Sequence, residues 1–185
     1  MKLRRDALLV VLALGLPACS GGGSEGDPTG PQNADVAGQW NYLAMDLIGE
    51  ILLVSVRCAV VGGMDLSQQS GTFSGTLFGR AIECEVPNVT LETGDVGDVQ
   101  IINGAVTGGQ VEFDYSVLFQ LPEILKLVEA ELGAPVTGVT FTFHHEGTVS
   151  GNSMSGAVTV NGEAVITGAS RPGTFVLAGT WSASR

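Results

Sequence analysis

The sequence predicts an all-β domain of short antiparallel strands, interrupted by one short amphipathic helix. Three observations carry this. Glycine is abundant, 27 of 185 residues, about twice the usual ~7%. Dipeptides that favour tight hairpins recur from residue 34 onward: Ser70-Gly71, Gly108-Gly109, Gly151-Asn152 and Asn161-Gly162. Between them, apolar and polar residues alternate with the period of two that marks half-buried strands.

The chain divides into three parts. Residues 1–18 read as a removable signal: basic Lys2, Arg4 and Arg5, an apolar run from Ala7 to Leu16, then Pro17 and Ala18. Ten apolar residues are too few to cross a ~30 Å hydrocarbon core as a helix. Leu16-Pro17-Ala18-Cys19 resembles the lipobox of bacterial lipoproteins. That resemblance implies cleavage before Cys19, diacylglyceryl transfer to its thiol and acylation of the new amino terminus. Two or three acyl chains would hold the protein on a membrane where one would not. By the same resemblance, Ser20 directs it to the outer membrane of the cell envelope. The lipidated cysteine opens a tether, residues 19–33, built from Gly, Ser, Pro and polar residues, with no large apolar side chain to order it. Residues 34–185 form the folded domain.

Within that domain, Leu47–Val61 is strongly apolar but carries Glu50 and Arg57, so it is not a membrane span. Val54, Val56, Val60 and Val61 favour a strand in its second half. Cys58 and Cys84 lie almost equally far from Ser70-Gly71. A hairpin turning there brings them opposite each other, and in an exported protein a disulfide follows; the alternative is a pair of free buried thiols. In Gln110–Phe119, Val111, Phe113, Tyr115, Val117 and Phe119 share one face. A helix is expected over about 122–132. Pro122 suits its first turn, Gly133 its C-terminal cap and Pro135 its stop, with Leu121, Ile124, Leu125, Val128 and Leu132 on one stripe. Its expected role is to cap an open end of the core; a lid over a ligand is the sharper alternative. Val139, Phe141 and Phe143 then alternate with Thr140, Thr142 and His144.

Gly38-Gln39-Trp40 resembles the Gly-x-Trp of the first strand in lipocalins, and Gly179-Thr180-Trp181 echoes it near the C terminus. The domain thus resembles the lipocalin-like and avidin-like barrels of the calycin type. The resemblance implies an antiparallel up-and-down β-barrel of about eight to ten strands, closed by pairing of the first and last. Glycines within strands allow the coiling that closure requires. The phrase Gly-Thr-x-Ser, at Gly71, Gly147 and Gly179, is also similar to that of uncharacterised bacterial lipoproteins.

Charge narrows the function. After residue 18 the chain keeps 5 basic and 18 acidic side chains. That surface repels phosphate backbones, so nucleic acid is not a partner, and it disfavours binding to anionic lipid through basic residues. No Gly-x-Ser-x-Gly elbow, phosphate loop, His-Glu-x-x-His or Cys/His dyad occurs. Neither an enzyme nor a cofactor is expected. His144 and His145 are adjacent and on a strand would point to opposite faces, so they are not expected to share a metal. Glu92, Asp95 and Asp98 read as a solvated acidic turn. Two functions remain. In one, implied by the lipocalin resemblance, a small apolar ligand sits in a cavity lined by Trp40, Phe113, Tyr115, Phe143 and Trp181. In the other, the barrel is packed with its own side chains and serves as an envelope interaction or structural protein.

Overall fold

Alternation along the chain becomes nine antiparallel strands in a computed structural model. It describes residues 32–51, 54–86, 89–93, 97–119, 126, 129, 133–168 and 173–185. The strands are β1 (Gly38–Ile51), β2 (Val54–Gln69), β3 (Thr72–Val86), β4 (Val89–Thr93), β5 (Val99–Thr107), β6 (Gln110–Phe119), β7 (Val136–Ser150), β8 (Ser153–Ile166) and β9 (Gly173–Ser184). Eight of them, all but β4, form a closed up-and-down barrel in chain order, and β9 returns to pair with β1. The fourth strand pairs with the second half of β3, beyond the stretch that β3 shares with β5. The expected closure by first and last strands is therefore present, with Trp181 of β9 opposite Ala44 of β1.

Three of the four predicted turns are turns. Ser70-Gly71, Gly108-Gly109 and Gly151-Asn152 join β2 to β3, β5 to β6 and β7 to β8, all at one end of the barrel, called here the turn end. At the opposite end, called the far end, β1, β3, β6 and β8 finish and β2, β4, β7 and β9 begin; β4 and β5 follow one another along β3, opposite its residues 82–86 and 72–77 in turn. Asn161-Gly162 is not a turn: it lies inside β8. Glycine is needed there because the Phe175 ring of β9 lies across it, and an added Cβ would stand 2.0 Å from Phe175 Cζ. The apolar stretch Leu47–Val61 is the β1–β2 hairpin arm, with Leu47 paired to Cys58. Of the predicted helix, Lys126 and Glu129 are described and both are helical; the remainder lies outside the described residues. Gly133, with φ of 64°, donates its N–H to Glu129 O at 2.9 Å, as a C-terminal glycine cap does. The signal, Cys19 and most of the tether lie outside the described residues too.

Bulges, on β1, β3 and β5 among others, change which side chains face inward. On β1, Trp40, Tyr42 and Ala44 point in; the irregularity between Ala44 and Leu47, with Asp46 at φ 52°, then turns Leu47 inward as well. On β3, Phe73 and Leu77 point in, and a bulge at Gly79, φ 58°, turns Arg80 and Ile82 inward after them.

Cys58 and Cys84 face each other directly across β2 and β3 and form a disulfide, with Cα atoms 4.1 Å apart. The bond closes a loop of sequence separation 26, for which chain entropy gives about 3 kcal/mol. Reduction, or replacement of both cysteines by alanine, is expected to lower the unfolding free energy by that order. Urea titration with and without reductant measures it, and an unchanged midpoint would contradict it.

The turn end is sealed by the chain itself. Val36 is fully buried, its N–H donating to Gln68 Oε1 at 2.7 Å. Ala34 N–H donates to Gly108 O, Asn33 Oδ1 accepts from Gly108 N–H, and the Gln68 amide donates to Ala34 O and Ser70 O. Residues 33–36 are thereby fastened to the β2–β3 and β5–β6 turns.

Candidate functional site

The five residues expected to line a cavity all point into the barrel and are all buried, Tyr115 completely. Apart from Phe143, which borders the small void described below, they meet other side chains rather than open space. Phe113 meets Trp181 edge-on at 5.2 Å and Phe73 at 5.9 Å. Tyr115 stacks on Phe143 at 4.4 Å. Trp40 lies under the Arg185 guanidinium, 4.1 Å from the ring centre, and its indole N–H donates to Val36 O at 2.9 Å. The Trp181 indole N–H donates to Glu146 O at 3.2 Å. Rings at these separations are in contact and satisfy each other's edges and faces.

Among the described residues, the interior void lies towards the far end, beside the disulfide. It has a volume of about 40 Å³ and is walled by Leu47, Cys58, Val60, Ile82, Phe141, Phe143 and Leu177 among others. Two or three waters would fill it, whereas small-molecule sites start near ~300 Å³. The interior is packed.

Sequence reading missed a polar layer across the middle of the barrel. Tyr42 Oη from β1 lies 2.8 Å from His145 Nε2 of β7 and 3.3 Å from Tyr115 Oη of β6. His145 is fully buried and stacks flat on Phe113, 4.2 Å between centroids. Arg80, also buried, enters from β3 and donates from Nε and Nη2 to Gly97 O at 3.1 and 2.5 Å. Gly62 leaves room for its stem, since a Cβ there would come within 3.0 Å of Arg80 Cγ. Burial pushes the His145 imidazole down to about 3, partly offset by the backbone of Phe113, so it is neutral. Burial also raises both phenols, against the nearby Arg80 charge. Tyr42 Oη joins Tyr115 and His145 in one hydrogen-bonded group, while Arg80 is held beside it by Gly97 O.

The expectation that His144 and His145 point to opposite faces holds: His144 is on the outer wall and His145 is buried inside. His144 Nδ1 lies 2.7 Å from Asp114 Oδ1 and its Nε2 3.3 Å from Glu146 Oε1, on the outer wall. The hydrogen bond to Asp114 raises its pKa, with burial opposing. Among the described residues, no group of three His, Cys, Asp or Glu side chains is placed to hold a metal. Asp98 is exposed, while the side chains of Glu92 and Asp95 lie outside the described residues.

The outer wall carries several exposed apolar side chains near the far end: Ile48, Leu118, Val165 and Val176, each more than half exposed. Scattered singly on four strands, they need no special explanation. No known protein-family model matches the chain, and no curated protein sequence matches it.

Proposed function

We propose that the protein is a lipid-anchored envelope protein that acts through its outer surface, with the barrel as a rigid packed body and with neither catalysis nor a cofactor. The single observation behind the surface reading is the filled interior: of the aromatic residues a ligand would touch, Phe113 packs on Trp181 and Tyr115 on Phe143 instead. The anchoring rests on the ordered signal and the lipobox at Leu16–Cys19, and the outer membrane on Ser20. The partner that fits is another envelope component rather than nucleic acid, given the acidic surface.

A small apolar ligand is the second reading, favoured by the wholly apolar void beside Cys58–Cys84. It would have to swell from about 40 Å³ to ~300 Å³, displacing Phe141 or Phe143 from well-packed positions.

The test has two arms. Protein produced with its own signal is expected to fractionate with membranes and to show an acylated N-terminal Cys19 by mass spectrometry; Cys19→Ala is expected to release it. A soluble, unacylated product would end the anchoring. In the second arm, native mass spectrometry with a series of fatty acids is expected to find no stoichiometric complex. A complex at one-to-one ratio would replace the packed-body reading with the second one.

A further inference from the structure

The chain enters the barrel at the turn end, and residues 33–36 are fixed there by Gln68, Gly108 and Ser70. Arg185 adds a hydrogen bond from Nη2 to Asp35 O at 2.8 Å. Whatever holds Cys19 is therefore joined to that end by the 13 residues Ser20–Gln32. A Gly- and Ser-rich chain of that length has an r.m.s. span of roughly 20 Å. Strands of 14 residues such as β8, at ~3.3 Å per residue and tilted ~40°, make a barrel roughly 35 Å tall. Turning the barrel over would ask the tether to run past its whole height, close to full extension.

The charge distribution points the same way and is independent of the tether. The three turns at this end, Ser70-Gly71, Gly108-Gly109 and Gly151-Asn152, carry no charge. Among the described residues, Asp35 and Arg185 are the charged side chains beside them, one of each sign. The acidic excess lies elsewhere. Asp65, Glu112, Asp114 and Glu146 are on the outer wall, and Glu50, Glu83, Glu85 and Glu163 are on the far half of their strands. An anionic bilayer surface repels acidic groups within about one Debye length, ~8–10 Å. Glu112, three residues past Gly109, lies on the side of the turn end, and the tether that leads to it carries Glu25 and Asp27. Among the described residues, however, its own turns are uncharged while the far half carries four glutamates, so the turn end meets such a surface with less of that repulsion.

We infer that the turn end of the barrel is the face held against the phospholipid surface, and that the far end points away from it. This rests on the anchoring proposed above. The surface it fits is the bilayer that holds the acyl chains, met by polar uncharged turns that hydrogen-bond to headgroups without inserting.

The test uses the lipidated protein, made with its own signal, in vesicles of phosphatidylcholine and phosphatidylglycerol that carry a nitroxide-headgroup lipid. A fluorophore is placed by Asn152→Cys at the turn end or by Thr167→Cys at the far end; both positions are exposed. Flotation with the vesicles is measured first, and its absence would overturn the anchoring and this inference together. Given flotation, quenching at position 152 is expected to exceed that at 167 severalfold. Equal quenching, or stronger quenching at 167, would overturn the orientation and leave the anchoring standing.

Discussion

Gly156→Ala is expected to abolish folding. Gly156 of β8 faces Gly147 of β7 in register, and Trp181 of β9 pairs with Gly156 from the other side. A Cβ at 156 would lie 1.9 Å from Glu146 O and 2.5 Å from Gly147 Cα. Both are backbone atoms of a central strand, and neither can rotate away. Ordinary overpacking costs ~1–3 kcal/mol because side chains give way; here the ladder between β7 and β8 must separate, at a cost comparable with the whole ~5–15 kcal/mol stability of a domain. Gly109→Ala is the control. Its Cβ would meet only Val149 O, at 3.7 Å, so it is expected to be neutral or to gain a few tenths of a kcal/mol from a stiffer unfolded chain. Soluble yield and the cooperativity of thermal unfolding by circular dichroism measure both. A cooperatively folded Gly156→Ala protein would mean that the close approach is not required.

That crowding also explains the recurrent Gly-Thr-x-Ser phrase. Gly147 and Gly179 begin two of its copies, and a Cβ at either would collide with the neighbouring backbone, 2.3 Å from Ser155 O and 2.5 Å from Met45 O. In the third copy the close approach falls on the closing glycine, Gly75, 2.2 Å from Asp65 O. The phrase recurs with the tight coiling of a small barrel, not with a repeating unit.

What was legible in the sequence follows from period and spacing. The inward faces of β6 and of Val139–Phe143, the three turns at one end and the Cys58–Cys84 pair all stem from regular alternation around hairpins. What was not legible depends on departures from it. The bulge at Gly79 inverts the alternation on β3 and carries Arg80 inside, against the strong prior that arginine is exposed. The Asn161-Gly162 pair has turn chemistry but serves a cross-strand aromatic. His145 shares the phase of Phe141 and Phe143, which is the signal for its inward face, although an imidazole is polar enough to face water instead. Whether inward aromatics line a cavity or fill one is a question of volume, which alternation does not encode.

Stability is expected to fall as pH drops from about 7 towards 4, with His145 as the main cause. Its folded-state pKa is pushed down to about 3 from 6.5. Between those values the unfolded chain binds a proton that the folded barrel does not, so unfolding is favoured by acid. The stability due to keeping His145 neutral is complete above pH 6.5 and is lost progressively down to pH 3. At ~1.4 kcal/mol per pH unit, the loss is roughly 3 kcal/mol by pH 4.5. Two neighbours modify the profile. His144 has a raised pKa, held by Asp114, so its contribution is present below pH 6.5 and is lost as pH rises; on the exposed wall it is small. At Asp114 burial opposes ionisation, but the hydrogen bonds from Asn103 and His144 prevail and lower the pKa, so its contribution disappears only in stronger acid. The measurement is the urea unfolding free energy at pH 7.5 and 4.5 for the natural protein and for His145→Phe. The variant gives up the bond to Tyr42 and is expected to be less stable at pH 7.5, because Tyr42 Oη then keeps only Tyr115 as a buried partner. Its loss between the two pH values is expected to shrink by about 3 kcal/mol. An equal loss in both proteins would show that the acid sensitivity does not come from His145.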